Sequence, residues 1–331
     1  MKQTSSVGSA IRTVIFLMFV GLSVVIVWQR VWIRDTLHIM QYEPTAEIRL
    51  LAKRTKLSPL GERYFYASRP SIDGTQAFNE HCRDTEKTSV VLGCYYDQRI
   101  TIYDVDNEEL DGIKEVTAAH EMLHAAYERL SSRERKEVND LLRPIAHDHS
   151  LADKEFAERM SVYSDLSTAD KFNELHSVIG TEIETLTPEL EAYYKRYFDD
   201  RATVVKLYQQ YVKVFRKLRD DATALAKDLK LRATSINLAI DTYNDNVTRL
   251  KSDIEQFNSR ASSGYFTSQD EFALARFQLV ARSERLDAAR EALDAKIAQY
   301  NKDAARLETI AEHIDELNSS IDSTLAPAPT L

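Results

Sequence analysis

The stretch from about residue 201 to residue 325 leaves little choice of secondary structure. Apolar side chains recur there at alternating four- and three-residue steps through Ile236, Ile240, Tyr243, Val247, Leu250, Ile254 and Phe257. They return at seven-residue steps through Leu279, Leu286, Leu293, Tyr300, Leu307, Ile314 and Ile321. A strand would send such a set to both of its faces, whereas a helix gathers it into one seam. Ser262, Ser263 and Gly264 interrupt the pattern, so the two arms predict an antiparallel coiled-coil hairpin. At 1.5 Å per residue each arm would extend on the order of 80 Å. The long helix is expected to begin near Thr187, with Pro188 in its first turn.

The remaining sequence is also helix-rich. Only 8 Gly and 7 Pro occur in 331 residues, a low density of chain breakers. Pro44 to Lys56 and Ser58 to Ser68 read as short helices, the second capped by Ser58. Asp111 to Leu130 reads as a longer one, and Ser131 with Glu134 has the spacing of a capping box that starts the next. Two segments read as strands, Ser89 to Tyr96 and Arg99 to Val105, separated by polar Asp97 and Gln98, and together they predict a small antiparallel sheet. The fold class is therefore mainly α (α+β).

Val14 to Val27 contains no charged side chain and is bounded by Arg12 and Arg30. Extended through Trp28 to Trp32 it approaches the roughly 20 residues needed to cross a bilayer. Trp28 and Trp32, the only tryptophans, suit the membrane interface. A cleaved signal peptide is the alternative, but bulky and basic residues follow the run where small ones would be needed. Lys2, Arg12, Arg30 and Arg34 flank it almost evenly, so charge does not orient it. Cys82 and Cys94, the only cysteines, bear on orientation instead: a disulfide between them would place the following region outside the cytoplasm, while the alternative is two buried thiols. The expected organisation is a tail and transmembrane anchor at 1–34, a compact domain at 35–200, the hairpin at 201–325 and a disordered tail at 326–331. A net charge of -9 without a basic stripe argues against nucleic acid as a partner.

Val116 to Ala126 reads Val-Thr-Ala-Ala-His-Glu-Met-Leu-His-Ala-Ala. On a helix His120 and His124 lie one turn apart on one face, a spacing that lets two imidazoles hold one ion. Glu121 then lies beside them, where a carboxylate can take a proton from an attacking water. Apart from these three residues every position in the segment is uncharged, so the helix should be buried except at the metal face. A buried His pair without metal is the alternative, and it would need partners for all of its polar atoms.

His120, Glu121 and His124 with their uncharged flanks resemble the zincin metallopeptidases, and Arg99 to Val105 is similar to the zincin edge strand. The segment departs from the metzincin branch, because Ala125 to Leu130 offers neither the Gly nor the third His. A third ligand must come from further on, and Lys171-Phe-Asn-Glu-Leu-His-Ser177 offers Glu174 and His176 on opposite flanks of an apolar face, with Glu182 more distant. Asn173-Glu174 with Ser177 resembles the second motif of gluzincins, which selects Glu174 over His176. The resemblance implies a Zn²⁺ site of His120, His124 and Glu174, with Glu121 as general base in hydrolysis of a peptide or protein substrate. His147 and His149 are expected in a solvated loop after a helix, Tyr163 is a weaker candidate for stabilising an oxyanion, and Tyr193, Tyr194, Tyr197 and Phe198 are expected to pack. A membrane-tethered coiled-coil scaffold whose His-Glu segment is structural or inactive is the alternative reading, and the hairpin offers a surface for a protein partner or self-association.

Overall fold

The computed structural model describes residues 11, 12, 14–19, 29–82, 91–163 and 166–324. The chain is mainly helical, with a small three-stranded sheet and a long helical hairpin. It divides into two compact units, Met1–Val214 with Asn318–Leu331, and Phe215–Leu317. The first unit thus reaches into the long helix and takes back the end of the chain, where a division at residue 200 was expected.

The first unit opens with α1 (Arg30–Gln41), α2 (Ala46–Arg54) and α3 (Pro59–Ala67). The Thr45 side chain accepts a hydrogen bond from the Ile48 N–H and starts α2, and Ser58 does the same for α3 through Gly61. Strand β1 (Ser71–Asp73) and helix α4 (Thr75–Cys82) follow, then β2 (Gly93–Tyr96) and β3 (Arg99–Tyr103). Asp97 and Gln98 both take positive φ, 45° and 61°, and close β2 and β3 into a two-residue hairpin.

The sheet order is β1-β3-β2, with β1 parallel and β2 antiparallel to β3. This corrects two expectations. The sheet is mixed, and the strand at Arg99 lies in its middle, because Ser71–Asp73 pairs along its other side; among the described residues β2 is an edge. The part of the expected first strand at residues 89 and 90 lies outside the described residues.

Strand alternation assigns the two faces of the sheet. Gly93, Tyr95, Ile100 and Ile102 face α5 (Ile113–Arg129) and join the main core. Cys94 and Tyr103 face α4, where Cys94 is disulfide-bonded to Cys82 with Cα atoms 5.7 Å apart and the Tyr103 and Phe78 rings pack 5.4 Å apart.

Helix α5 packs against β2, β3, α2, α3 and α8 (Thr168–Glu182). Its buried Ala118, Ala119, Met122, Leu123, Ala125 and Ala126 point in several directions at once, which explains the absence of a polar side in its sequence. The α6 helix (Ser132–Ala152) starts at the expected capping box, and both reciprocal bonds of Ser131 and Glu134 form. It continues through His147 and His149, which therefore lie in a helix and not in a loop after one; α7 (Lys154–Val162) follows.

A helix does begin at Pro188, but it is the short α9 (Pro188–Tyr194), and the long α10 (Arg201–Ser262) starts only later. Backbone pairing to a distant segment causes the break: Ser58 N–H donates to the Tyr197 carbonyl at 2.9 Å and Asp199 N–H to the Lys56 carbonyl at 2.8 Å. Arg201 then turns back on α8 and donates to the carbonyls of Ile183 (2.7 Å) and Glu184 (3.0 Å) just past its C-terminus.

The second unit, Phe215–Leu317, comprises most of the hairpin formed by α10 and α11 (Gln269–Ile321). Arg232 meets Asp303 at 2.6 Å, Arg282 meets Asp253 at 2.5 Å, and the Phe257 and Phe272 rings lie 5.2 Å apart. Positions on one arm rise as those on the other fall, so the arms are antiparallel, as the seam predicts. Among the described residues no helix is long and apolar enough to cross a membrane. Residues 20–28 of the apolar run, and the tail expected to be disordered, lie outside the described residues.

Candidate metal centre

One turn of α5 carries His120 and His124, and α8 crosses them with Glu174. The two histidine Nε2 atoms are 3.0 Å apart. Glu174 presents one carboxylate oxygen to each, Oε2 at 3.7 Å from His120 and Oε1 at 3.4 Å from His124. One ligand atom from each of the three residues can be chosen so that all lie within 4.8 Å of one another, and no other such His, Cys, Asp or Glu group forms among the described residues.

These separations allow a test of fit. Donors about 2.0–2.1 Å from an ion at tetrahedral angles lie about 3.3 Å from one another. The observed 3.0, 3.4 and 3.7 Å bracket that value. The donor chemistry agrees, since two imidazoles and a carboxylate suit a divalent transition metal. Burial holds the His124 imidazole below its ordinary pKa; Glu174 opposes the shift and His120 adds to it. His124 is thus neutral at pH 7, the form that offers a lone pair to a cation.

The helix pair can approach this closely because of Gly180 on α8, where a Cβ would stand 2.5 Å from Leu123 Cδ1 and 2.7 Å from Tyr194 Cε1. Gly93 does the same for the sheet. A Cβ there would meet Thr117 Cγ2 at 2.5 Å and Glu121 Cγ and Oε1 at 3.0 Å, so Glu121 lies directly against the backbone of the edge strand. Glu121 is buried, His124 and Glu174 nearly so, and His120 is the most open of the four.

His176, the rejected alternative ligand, sits in a cage of aromatic rings. Its Nε2 is 2.8 Å from the Tyr193 hydroxyl, and the rings of Tyr127, Tyr193 and Tyr194 lie 5.4–5.5 Å from its own. Burial pushes its pKa down to about 3. The tyrosines expected only to pack therefore hold this histidine as well. Glu182 ends α8, about 12 Å along the helix from Glu174. Tyr163 lies in the turn after α7, where its carbonyl accepts from the Leu166 N–H at 3.2 Å.

The back of α5 carries a feature that no local pattern announced. Arg129 in its last turn forms a two-pronged pair with Asp35 of α1, Nε–Oδ2 at 2.9 Å and Nη2–Oδ1 at 3.0 Å, with both side chains 2% exposed. The guanidinium also donates to the Ala125 carbonyl at 2.8 Å and the Tyr95 hydroxyl at 3.3 Å, and lies over the Tyr64 ring. Gly93 has a local signal, since a lone glycine inside a strand pattern marks a close backbone approach. No protein-family model, curated protein or solved structure matches the chain.

Proposed function

We propose that the chain is a membrane-anchored, zinc-dependent peptidase with its catalytic unit on the extracytoplasmic side. The observation that carries this reading is the convergence of His120 Nε2, His124 Nε2 and the Glu174 carboxylate beside a second buried carboxylate, Glu121. Zinc bound there would supply a Lewis acid and a water of lowered pKa. The Glu121 carboxylate would accept the proton of the attacking water and deliver it to the leaving amide nitrogen. The outer side of β2, which pairs only with β3 among the described residues, offers backbone groups to an extended peptide.

The membrane reading is supported by Val14 to Met18, apolar side chains in a helix that are each at least 48% exposed. The side of the membrane is argued from the Cys82–Cys94 disulfide, a bond that persists in oxidising compartments. A membrane-tethered scaffold is the second reading, favoured by a hairpin whose arms run 62 and 53 residues.

Metal analysis of the wild type, His120→Ala and Glu174→Ala, followed by a peptide-library cleavage screen with Glu121→Gln, separates the two readings. The peptidase reading expects about one zinc per chain, lost in the first variant and weakened in the second, and cleavage abolished by Glu121→Gln with metal retained. A chain that binds no metal, or whose cleavage ignores Glu121→Gln, would sink it in favour of the scaffold.

A further inference from the structure

We infer that α1 lies flat on the bilayer surface and, through Asp35 and Arg129, sets how the metal-site helix faces the membrane. The inference rests on reading the apolar run before α1 as an anchor. An amphipathic helix on a protein surface ordinarily turns its apolar stripe inward and its charges outward. Helix α1 keeps Val31 and Ile39 half-buried beside Asp35, but departs from that rule at the centre of its inner side and along its outer one. Its carboxylate, Asp35, is 1% exposed and paired with Arg129, whereas Trp32, Leu37 and Met40 are 57%, 51% and 78% exposed. At about 100° per residue these three fall within an arc of about 140° that excludes Asp35.

The occupant of that face follows from what precedes it. The charge-free run Val14 to Val27 ends three positions before α1 begins, so a chain leaving a bilayer at that point has no length in which to carry α1 away from the surface. The chemistry of the face matches an interface of anionic lipid. Trp32 keeps its ring exposed with the Arg63 guanidinium stacked 5.1 Å from its centroid, and Arg63 is itself held by the Trp32 carbonyl at 3.0 Å and the Thr36 hydroxyl at 2.8 Å. A tryptophan beside a fixed cation is suited to the level of lipid headgroups, with Leu37 and Met40 dipping below them.

The two-pronged form of the Asp35–Arg129 pair means that α1 cannot rotate without pulling on the last turn of α5. A flat α1 therefore gives His120, Glu121 and His124 a fixed orientation to the bilayer. The substrates such a site would meet are segments of proteins emerging close to the membrane.

The only two native tryptophans make this measurable in the full-length chain. Three single-tryptophan forms are reconstituted in phosphatidylcholine–phosphatidylglycerol vesicles: Trp28→Phe, which leaves Trp32; Trp32→Phe, which leaves Trp28; and Trp28→Phe/Trp32→Phe/Met40→Trp, which reports the far end of α1. Met40 is the most exposed of the three apolar positions, so the larger ring is accommodated there. A helix standing upright would lift residue 40 about 12 Å above residue 32, while a flat one keeps both at the same depth.

The expected result is at least an about two-fold loss of emission at both positions when the lipids are brominated near the headgroup end of their chains, with shielding from aqueous iodide. Lipid quenching at residue 32 without quenching at residue 40 would mean that α1 rises from the surface, and overturns the inference. So would emission at residue 40 that ignores lipid but follows the protein-to-lipid ratio, the mark of contact with a second copy. Trp28 separates the anchor from the flat helix: if it is quenched by lipid while residues 32 and 40 are not, the anchor stands and only the flat helix fails. Indifference at all three positions removes the anchor and this inference together.

Discussion

Helix α5 and helix α11 show how differently two helices of one chain can be specified. In α5, thirteen of 17 residues are buried, three of them charged or imidazole side chains; in α11, 53 residues long, Leu317 alone is. A helix enclosed on several sides needs small apolar residues all round and a partner for every polar atom it buries. A helix that meets one neighbour along one seam needs only its three- and four-residue spacing and tolerates charge elsewhere. The stability of the first should therefore depend on individual residues, and that of the second on a pattern.

The largest expected effect tests the first half of that contrast. Asp35→Ala leaves the Arg129 guanidinium buried without its carboxylate and is expected to cost about 3–5 kcal/mol, read by denaturant unfolding. Adding Arg129→Met should return most of the loss, because the buried charge goes with its partner. If the double variant is as unstable as the single one, the pair is not what α5 depends on. The paired Cys82→Ser/Cys94→Ser variant should come next, at roughly 2–4 kcal/mol, since it opens a loop spanning 12 positions beside a small satellite core. Gly180→Ala and Gly93→Ala overpack α5 from opposite sides and should each cost about 1–3 kcal/mol. Under the proposed peptidase reading they should differ in cleavage: a Cβ at position 93 presses on Glu121, whereas one at position 180 presses on Leu123 and Tyr194. Equal retention of cleavage in both would remove any role for the close strand.

The same contrast explains what the sequence disclosed. His120 and His124 are four residues apart, and Ser131 with Glu134 three apart, so local spacing carries both. The hairpin seam is likewise a local repeat. Asp35 and Arg129 are 94 positions apart and each looks like an ordinary surface charge until the fold joins them. β1 is three residues long, too short to display alternation, and its existence reverses the standing of the strand at Arg99 from edge to centre. The break before Arg201 is fixed by pairing of Tyr197 and Asp199 with residues 58 and 56; Tyr197, Phe198, Asp199 and Asp200 are weak helix formers, but no Gly or Pro marks the stop locally. Glu174 fell between these cases: the order Asn173-Glu174 and Ser177 suggested it, but only the crossing of α8 over α5 places its carboxylate near the two imidazoles.

Smaller effects probe positions where one bond or one face decides. Glu134→Ala removes half of the capping box that starts α6 and should cost about 1 kcal/mol. The Ser131 backbone N–H holds the Glu134 carboxyl below its ordinary range. Its contribution is accordingly present above the unfolded value of about 4.3 and is lost as pH falls through the lower folded one. An acid titration of stability should show that step in the wild type and not in the variant.

Leu238→Ser on α10 tests the other half of the contrast and should be the smallest effect. Leu238 lies two residues after Ile236 of the seam and is 68% exposed, with Leu231 one heptad earlier at 65%. If the hairpin is specified by its seam alone, replacing this exposed leucine changes stability by no more than about 0.5 kcal/mol. The melting temperature of the wild type should then be independent of protein concentration. A larger loss, together with a melting temperature that rises with concentration in the wild type but not in the variant, would mean that the face bearing Leu231 and Leu238 is covered in solution by another copy. In that case α10 would be buried on two sides, and the distinction between a helix specified residue by residue and one specified by its pattern would no longer separate the two units.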